Sequence, residues 1–210
     1  MDQQPAARDQ VKIDLHIHAR ERSYCAHSPE RRLIESAIAA GLDALVFTDH
    51  DRLVAPEHLA ELNVRYAPFR LFGGIEVSTE SEHVLVLGVH HPVLECKDWS
   101  YADLQTFVKK QGGFLAIAHP FRFGNLNVDL ENHPPDALEV HTRNTPDWAE
   151  ARIRDLAARH DLALLCNTDA HHARQLGEYY NVLAGDPADE AELLRLLRQG
   201  PVTCAHPQTR

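Results

Sequence analysis

At 210 residues, with 44% hydrophobic and 25% charged side chains, the chain has the make-up of one ordinary globular domain, which excludes a disordered tail and a fibrous protein. Its 31 acidic against 21 basic residues give a formal charge of -10, which argues against a general binder of nucleic acid or membrane surface through a basic face. No apolar run approaches the roughly 20 residues that span a bilayer. Residues 1–10 are polar and lack the apolar core of a signal peptide, and Cys25, Cys96, Cys166 and Cys204 are widely separated without a C-x-x-C pair. A cytoplasmic protein with neither a disulfide framework nor a zinc knuckle is therefore expected.

Residues 1–10 read as a loose, flexible leader and 11–210 as a single domain, with no linker and no internal repeat. From Val11 onward, short runs of Val, Ile, Leu and Phe alternate with segments of helical spacing. Strands are predicted over 11–13, 44–47, 70–75, 84–89, 114–118, 137–140 and 163–166, with a weaker one near Val182. Ser28 reads as an N-cap with Pro29 at the first helical position, a stripe of Leu33, Ile34, Ala37 and Ile38, and Gly41 as the stop. Ser100 caps a second helix carrying Leu104, Phe107 and Val108, ending before Gly112 and Gly113. Thr145-Pro146 and Asp186-Pro187 open two more, the last running through Leu193, Leu194 and Leu197 to Gly200. Strand, helix, strand repeated this often predicts parallel strands in an α/β domain, because parallel neighbours need a crossover and helices supply it.

Fifteen histidines are the outlying feature of the composition, and most fall at predicted strand ends. In α/β barrels and doubly wound sheets the functional side chains collect at the carboxyl ends of the strands. The first strand runs into Asp14-Leu15-His16-Ile17-His18 and the second into Thr48-Asp49-His50-Asp51. Gly74-Ile75-Glu76 ends the third, His83 opens the fourth, Ala118-His119-Pro120 follows the fifth, His141 the sixth, and Thr168-Asp169-Ala170-His171 the seventh. Two apart on an extended segment, His16 and His18 point to the same side, and Asp169 with His171 repeats that geometry. Imidazole with carboxylate suits Zn, Mn or Fe, and a shared carboxylate can bridge two ions. A lone histidine at a strand end is more often a surface or capping group, but roughly seven independent coincidences would be needed to dismiss the set. His27, His58, His90, His91, His133, His160, His172 and His206 are left outside the site.

These signatures, in this order, resemble the PHP family, named for polymerase and histidinol phosphatase, over about residues 11–180. The stretch from Asp169 to Gly177 followed by Tyr179-Tyr180 also looks like the C-terminal portion of small PHP phosphoesterases. The resemblance implies an α/β fold, a distorted (β/α)7 barrel with its metal site at the C-terminal ends of the strands. It implies two or three divalent ions, commonly Mn, Zn or Fe, and hydrolysis of phosphate esters. By resemblance, His16, His18, Glu76 and Asp169 hold one ion, Glu76 bridges to a second held by His83 and His119, and His50 and His171 belong to a third position. Many members complete that third site with an Asp or His in a turn after the H-x-H. Here residues 19–27 contain no Asp, which leaves His27 or Cys25 as a substitute, or the third site incomplete.

The resulting expectation is a phosphoesterase in which a metal-bridging hydroxide attacks the phosphorus of a small phosphomonoester or nucleotide. Arg122, just past His119-Pro120, and Arg143, just past His141, are candidate phosphate forks, with Arg20 and Arg22 near the first motif. His141 is a ligand, a general acid or a substrate contact. Asp14 and Asp49 are expected to orient ligand imidazoles through the second ring nitrogen. Two alternatives stand beside this: a multi-metal hydrolase of an amide or lactone, and a metal-binding regulatory module without catalysis. The short chain leaves little room for a cap, so an open pocket is expected. Tyr24, Trp99, Phe121, Phe123 and Trp148 fit rim packing better than base stacking. The expected partner is a small phosphorylated molecule, with no membrane and no duplex nucleic acid; the oligomeric state stays open.

Overall fold

The computed structural model describes residues 9–96, 98–201 and 203–205, so residues 1–8 of the expected leader and His206 lie outside the described residues. The apolar runs form β1 (Val11–Ile17), β2 (Ala44–Phe47), β3 (Arg70–Ser78), β4 (His83–Leu87), β5 (Phe114–Ile117), β6 (Ala137–His141), β7 (Ala163–Cys166), β8 (Tyr180–Leu183) and β9 (Thr203–Ala205). Strand periodicity sorts their side chains onto two faces. Ile75, Val77, Val84, Val86, Leu138 and Val140 pack in one cluster, and Leu85, Leu87, Ala116, Ala137 and Leu165 in another. Glu76 and Glu139 alternate with the first set, so they share the second face and break its apolar run with two carboxylates.

Five α-helices accompany the strands among the described residues: α1 (Glu30–Ala39), α2 (Pro56–Tyr66), α3 (Tyr101–Lys110), α4 (Glu150–His160) and α5 (Glu190–Arg198). α3 and α4 cover the first cluster, and four leucines of α5 (Leu193, Leu194, Leu196, Leu197) close the second. Ser100 caps α3 as predicted, its Oγ accepting from Asp103 N at 3.1 Å. Two other expected caps are displaced by tertiary partners. Ser28 Oγ accepts from Ala173 N at 2.9 Å, and α1 starts one residue later than predicted, after Pro29. Asp186 pairs with Arg70, and Asp189 caps α5 instead. Before α4 a 3-10 turn, Asp147–Ala149, intervenes. α2 has no predicted counterpart because only Leu62 of its residues is buried, too little for an apolar stripe.

The strands form one sheet in the order β7-β6-β5-β4-β3-β2-β1-β8-β9. β1, β2 and β3 run parallel, as do β5, β6 and β7. β4 is antiparallel to both its neighbours, and β8 and β9 are antiparallel additions. This corrects the expectation of parallel strands throughout. Thr79 N donates to Glu82 O at 3.0 Å and Thr79 Oγ1 to the same oxygen at 2.6 Å, so a tight turn, not a helix, connects β3 to β4.

The sheet nearly closes into a distorted barrel. The chain beyond β7 reaches Ala170, which bridges Ile17 in parallel, with His18 N donating to Ala170 O at 2.9 Å. Further from this mouth β8 stands between β1 and β7, and a side chain bridges the seam. Asn181 Oδ1 accepts from Cys166 N at 3.0 Å while its Nδ2 donates to Cys166 O at 2.8 Å. Cys166 is also disulfide-bonded to Cys204 of β9, their Cα atoms 5.3 Å apart. The expectation of no disulfide is thereby corrected: the partners lie 38 residues apart and only the fold brings them together. Cys25 and Cys96 are free. No helix of the described residues is long and apolar enough to cross a membrane.

Candidate metal centre

Strand ends deliver the site. β1 carries His16 and leads to His18, β2 leads to His50, β3 holds Glu76, His83 is the first residue of β4, His119 follows β5, and Asp169 and His171 follow β7. Three turning points, Asp51, His119 and Asp169, have φ of 50, 30 and 52°, the left-handed region that non-glycine residues rarely enter. These bends turn the side chains that follow the strands back over the mouth.

Three groups of donor atoms result, each with its ligand atoms within 4.8 Å of one another: His16, His18, Glu76 and Asp169; His50, Glu76 and His83; and His18, His50 and His171. Glu76 is the shared member of the first two. Its Oε2 lies 2.9 Å from His50 Nδ1 and 3.3 Å from Nε2 of both His16 and His18, and its Oε1 lies 3.0 Å from His83 Nδ1 and 3.1 Å from His119 Nε2. His18 Nε2 and Asp169 Oδ1 are 3.0 Å apart. His16, His18, Glu76 and His119 are fully buried.

The donor set fits divalent ions. Buried polar atoms are normally paired, yet His16 Nε2 and Glu76 Oε2 have no hydrogen bond despite these close approaches. Two fully buried, unmet atoms of ligand type 3.3 Å apart are what a metal site presents.

The electrostatics follow. Burial disfavours the charged form of every group here. His16 nonetheless sits well above the usual histidine range, because Asp169, Glu139 and Glu76 surround it. At His18 burial outweighs the carboxylates and lowers the pKa to about 4. Glu76 overcomes its burial through His16, His119 and His50 and lies well below the usual carboxylate range, and Asp169 is held low by His16 and His18.

A cavity of about 910 Å³ opens over the centre, lined by His50, His83, His171, Arg122, Tyr24 and Phe123 among others. Arg122 Nη1 is 3.3 Å from His119 Nε2 and 3.7 Å from Asp169 Oδ2, with its guanidinium over the Phe123 ring. Tyr24 and Phe123 are exposed, and Trp99 donates its Nε1–H to Val93 O. Cys25 lines the cavity, whereas His27 stacks on His172 at 4.2 Å.

Two of the expected catalytic residues are not brought to this cavity. His141 Nε2 lies 3.4 Å from both Glu150 Oε1 and Arg154 Nη2, with its ring stacked on Tyr179, and Arg143 is paired with Glu178. His119 approaches Glu76 but joins none of the three donor groups; His50 takes its place beside His83. Asp14 does not touch an imidazole: it accepts from His16 N at 3.2 Å, from Thr168 N at 3.1 Å and from Thr168 Oγ1. Asp49 accepts from Ala19 N, Arg22 Nε and Ser23 Oγ, and the Ser23 hydroxyl lies 3.4 Å from His18 Nδ1. At the other ring nitrogen of His16 stands Glu139 instead, 3.0 Å from Nδ1. Sequence reading passed over it as one polar residue inside an apolar strand.

A family model described as PHP-associated matches residues 148–202. No curated protein matches the sequence. Among solved structures, the chain is similar to a two-domain protein from Bacteroides vulgatus ATCC 8482 containing a predicted PHP-like metal-dependent phosphoesterase, with 16% identity, TM-score 0.64 and coverage of 94% of this chain and 66% of that one. The chain has the PHP fold. The PHP-type barrel recurs in Endonuclease Q of Pyrococcus furiosus (19% identity, TM-score 0.69, 96% and 60% covered), so the chain spans three fifths of that enzyme. It recurs too in an amidohydrolase from Chromobacterium violaceum (17%, TM-score 0.56, 79% and 89%).

An Endonuclease Q structure of the same fold holds a 27-mer duplex with an abasic lesion at the active site. This overturns the exclusion of duplex nucleic acid as a partner. Net charge sums over the whole surface, whereas phosphate contacts are local, so an acidic total does not decide the matter.

Proposed function

We propose that residues 11–210 form a metal-dependent phosphoesterase domain that hydrolyses a small phosphomonoester or nucleotide. The observation that carries this reading is the convergence of His16, His18, His50, Glu76, His83, Asp169 and His171 under one open cavity with Arg122 at its edge. His16, His18, Glu76 and Asp169 would hold one ion, and His50, Glu76 and His83 a second, with His18, His50 and His171 offering a third position. Imidazole and carboxylate donors suit manganese, zinc or iron. Ions bound there supply Lewis acidity toward phosphoryl oxygens and activate water at neutral pH. Arg122 reaches over His119 and Asp169 with its guanidinium facing the cavity, placed to grip two phosphate oxygens and orient the ester. Glu76, shared between two donor groups, keeps them in register.

The test is inorganic phosphate release from sugar phosphates, nucleotides, nucleoside bisphosphates, histidinol phosphate and phosphotyrosine, with manganese and with a chelator control. Chelator-sensitive release from one class is the expected result. Silence across the panel with metal confirmed bound would turn the reading to amide or lactone hydrolysis, the alternative favoured by the fold shared with an amidohydrolase.

A further inference from the structure

Beneath the donor groups lies a carboxylate that belongs to none of them. Glu139, in β6, is fully buried, and three donors from three other parts of the barrel converge on it. Its Oε1 lies 3.0 Å from His16 Nδ1 of β1 and accepts from Asn167 Nδ2, just past β7, at 2.6 Å. Its Oε2 accepts from the backbone N–H of His119, just past β5, at 2.8 Å. No Lys or Arg among the described residues pairs with it. A buried carboxylate is costly unless its oxygens are met, and an amide or an apolar side chain would serve a purely structural position more cheaply.

Two of the three contacts go to site residues. A carboxylate oxygen can only accept, so His16 must present Nδ1–H to Glu139, which leaves Nε2 facing Glu76 Oε2 and Asp169 Oδ1, both at 3.3 Å. His119 holds a left-handed backbone, φ 30°, which persists only where its surroundings enforce it, and Glu139 holds its N–H. Neither effect was legible in a motif.

We propose that Glu139 is the positioning residue of the metal centre: it locks His16 as the Nδ1–H tautomer with Nε2 aimed at the ion, and pins the bend that turns His119 toward Glu76. The inference rests on the metal-centre part of the reading above, not on the bond that is hydrolysed. Imidazole ligands depend on such a partner at the other ring nitrogen, and its loss weakens metal binding by about 10–100-fold.

Two measurements test it on the full chain after metal is stripped with chelator. Zinc affinity, read by competition with a chelating dye, falls by about 10–100-fold in Glu139→Gln, which offers one acceptor oxygen where two are used. In the zinc-loaded wild type, nitrogen NMR of the histidines finds His16 with a proton on Nδ1 and zinc on Nε2. A Glu139→Gln chain that melts lower but binds zinc as tightly as wild type has lost only structure, and overturns the proposal. So does zinc on Nδ1 of His16, a result that decides even if the variant does not fold. Zinc binding without phosphate release sinks the phosphoester reading and leaves this one standing; a wild type that binds neither zinc nor manganese ends both.

Discussion

Two buried polar layers lie within a few residues of each other along the same strands, and they are built on opposite rules. Beneath the mouth, Asp14, Thr168, Asn167 and Asn181 satisfy one another and the backbone: Asn167 Oδ1 accepts from Leu15 N at 3.0 Å and from Asn181 Nδ2 at 2.8 Å, and both oxygens of Asp14 are met. At the mouth, His16 Nε2, Glu76 Oε2 and His119 Nδ1 go without hydrogen bonds. A satisfied network fixes a fold, and an unsatisfied one of equal burial marks what the fold is for. The two layers meet at Glu139, which bonds Asn167 on one side and His16 on the other.

The sharpest way to break the contrast is at the mouth. His16→Ala removes the ring shared by the carboxylates, and chelator-sensitive turnover should fall to background while far-UV circular dichroism still reports a folded chain. Full activity in that variant would remove the centre from the mechanism. In the lower layer the effect should be on stability instead. Asn181→Ala strips the Cys166 N–H and C=O of their partners, at roughly 1–3 kcal/mol for each unmet group; the denaturant midpoint should drop while the zinc stoichiometry holds. Arg122→Ala, between cavity and ligands, should lower kcat/KM by about 10–100-fold with zinc affinity retained, the loss expected for a charge-assisted phosphate contact.

The mildest test sharpens the rule for the lower layer. Burial pushes the Asp14 carboxyl from 3.8 up to about 7, despite its bonds from Thr168 and His16. Between those values the folded chain keeps a proton that the unfolded chain has released, so stability falls as pH rises from about 4 to 7 and is level above. Asn at this position can still accept from both backbone amides and can donate to Thr168. Asp14→Asn should therefore match the wild type at pH 4 and exceed it above pH 7 by roughly 1–3 kcal/mol, read from paired denaturant curves. A constant difference across pH would contradict the role of burial.

What could be read from the chain alone followed the reach of each signal. The H-x-H of β1 is local, and alternation leaves the His16 and His18 rings 4.9 Å apart; the D-x-H after β7 is not extended, since Asp169 is left-handed, and its Asp169 and His171 fall in different donor groups. Eight of the strands, the weaker one at Val182 among them, and the cap at Ser100 were equally local. The β3–β4 hairpin was missed because a short loop between two apolar runs does not declare the strand direction. The Cys166–Cys204 pair and the diversion of Ser28 and Asp186 to tertiary partners depend on residues 38, 145 and 116 positions away. His141 stood at a strand end like the residues of the three donor groups, but its ring turns toward Tyr179 and Glu150.

The way the barrel closes also places its site. At the mouth the chain past β7 touches β1 directly through Ala170 and Ile17, so seven strands make up the perimeter. Toward the other end β8, paired with β1 and β9, stands at the seam, and only the Asn181 side chain reaches Cys166 of β7 there by hydrogen bonds. The histidines stand at the end where the two edges of the sheet meet directly. Short side chains from opposite walls can meet there without the length of a lysine or an arginine to bridge the gap.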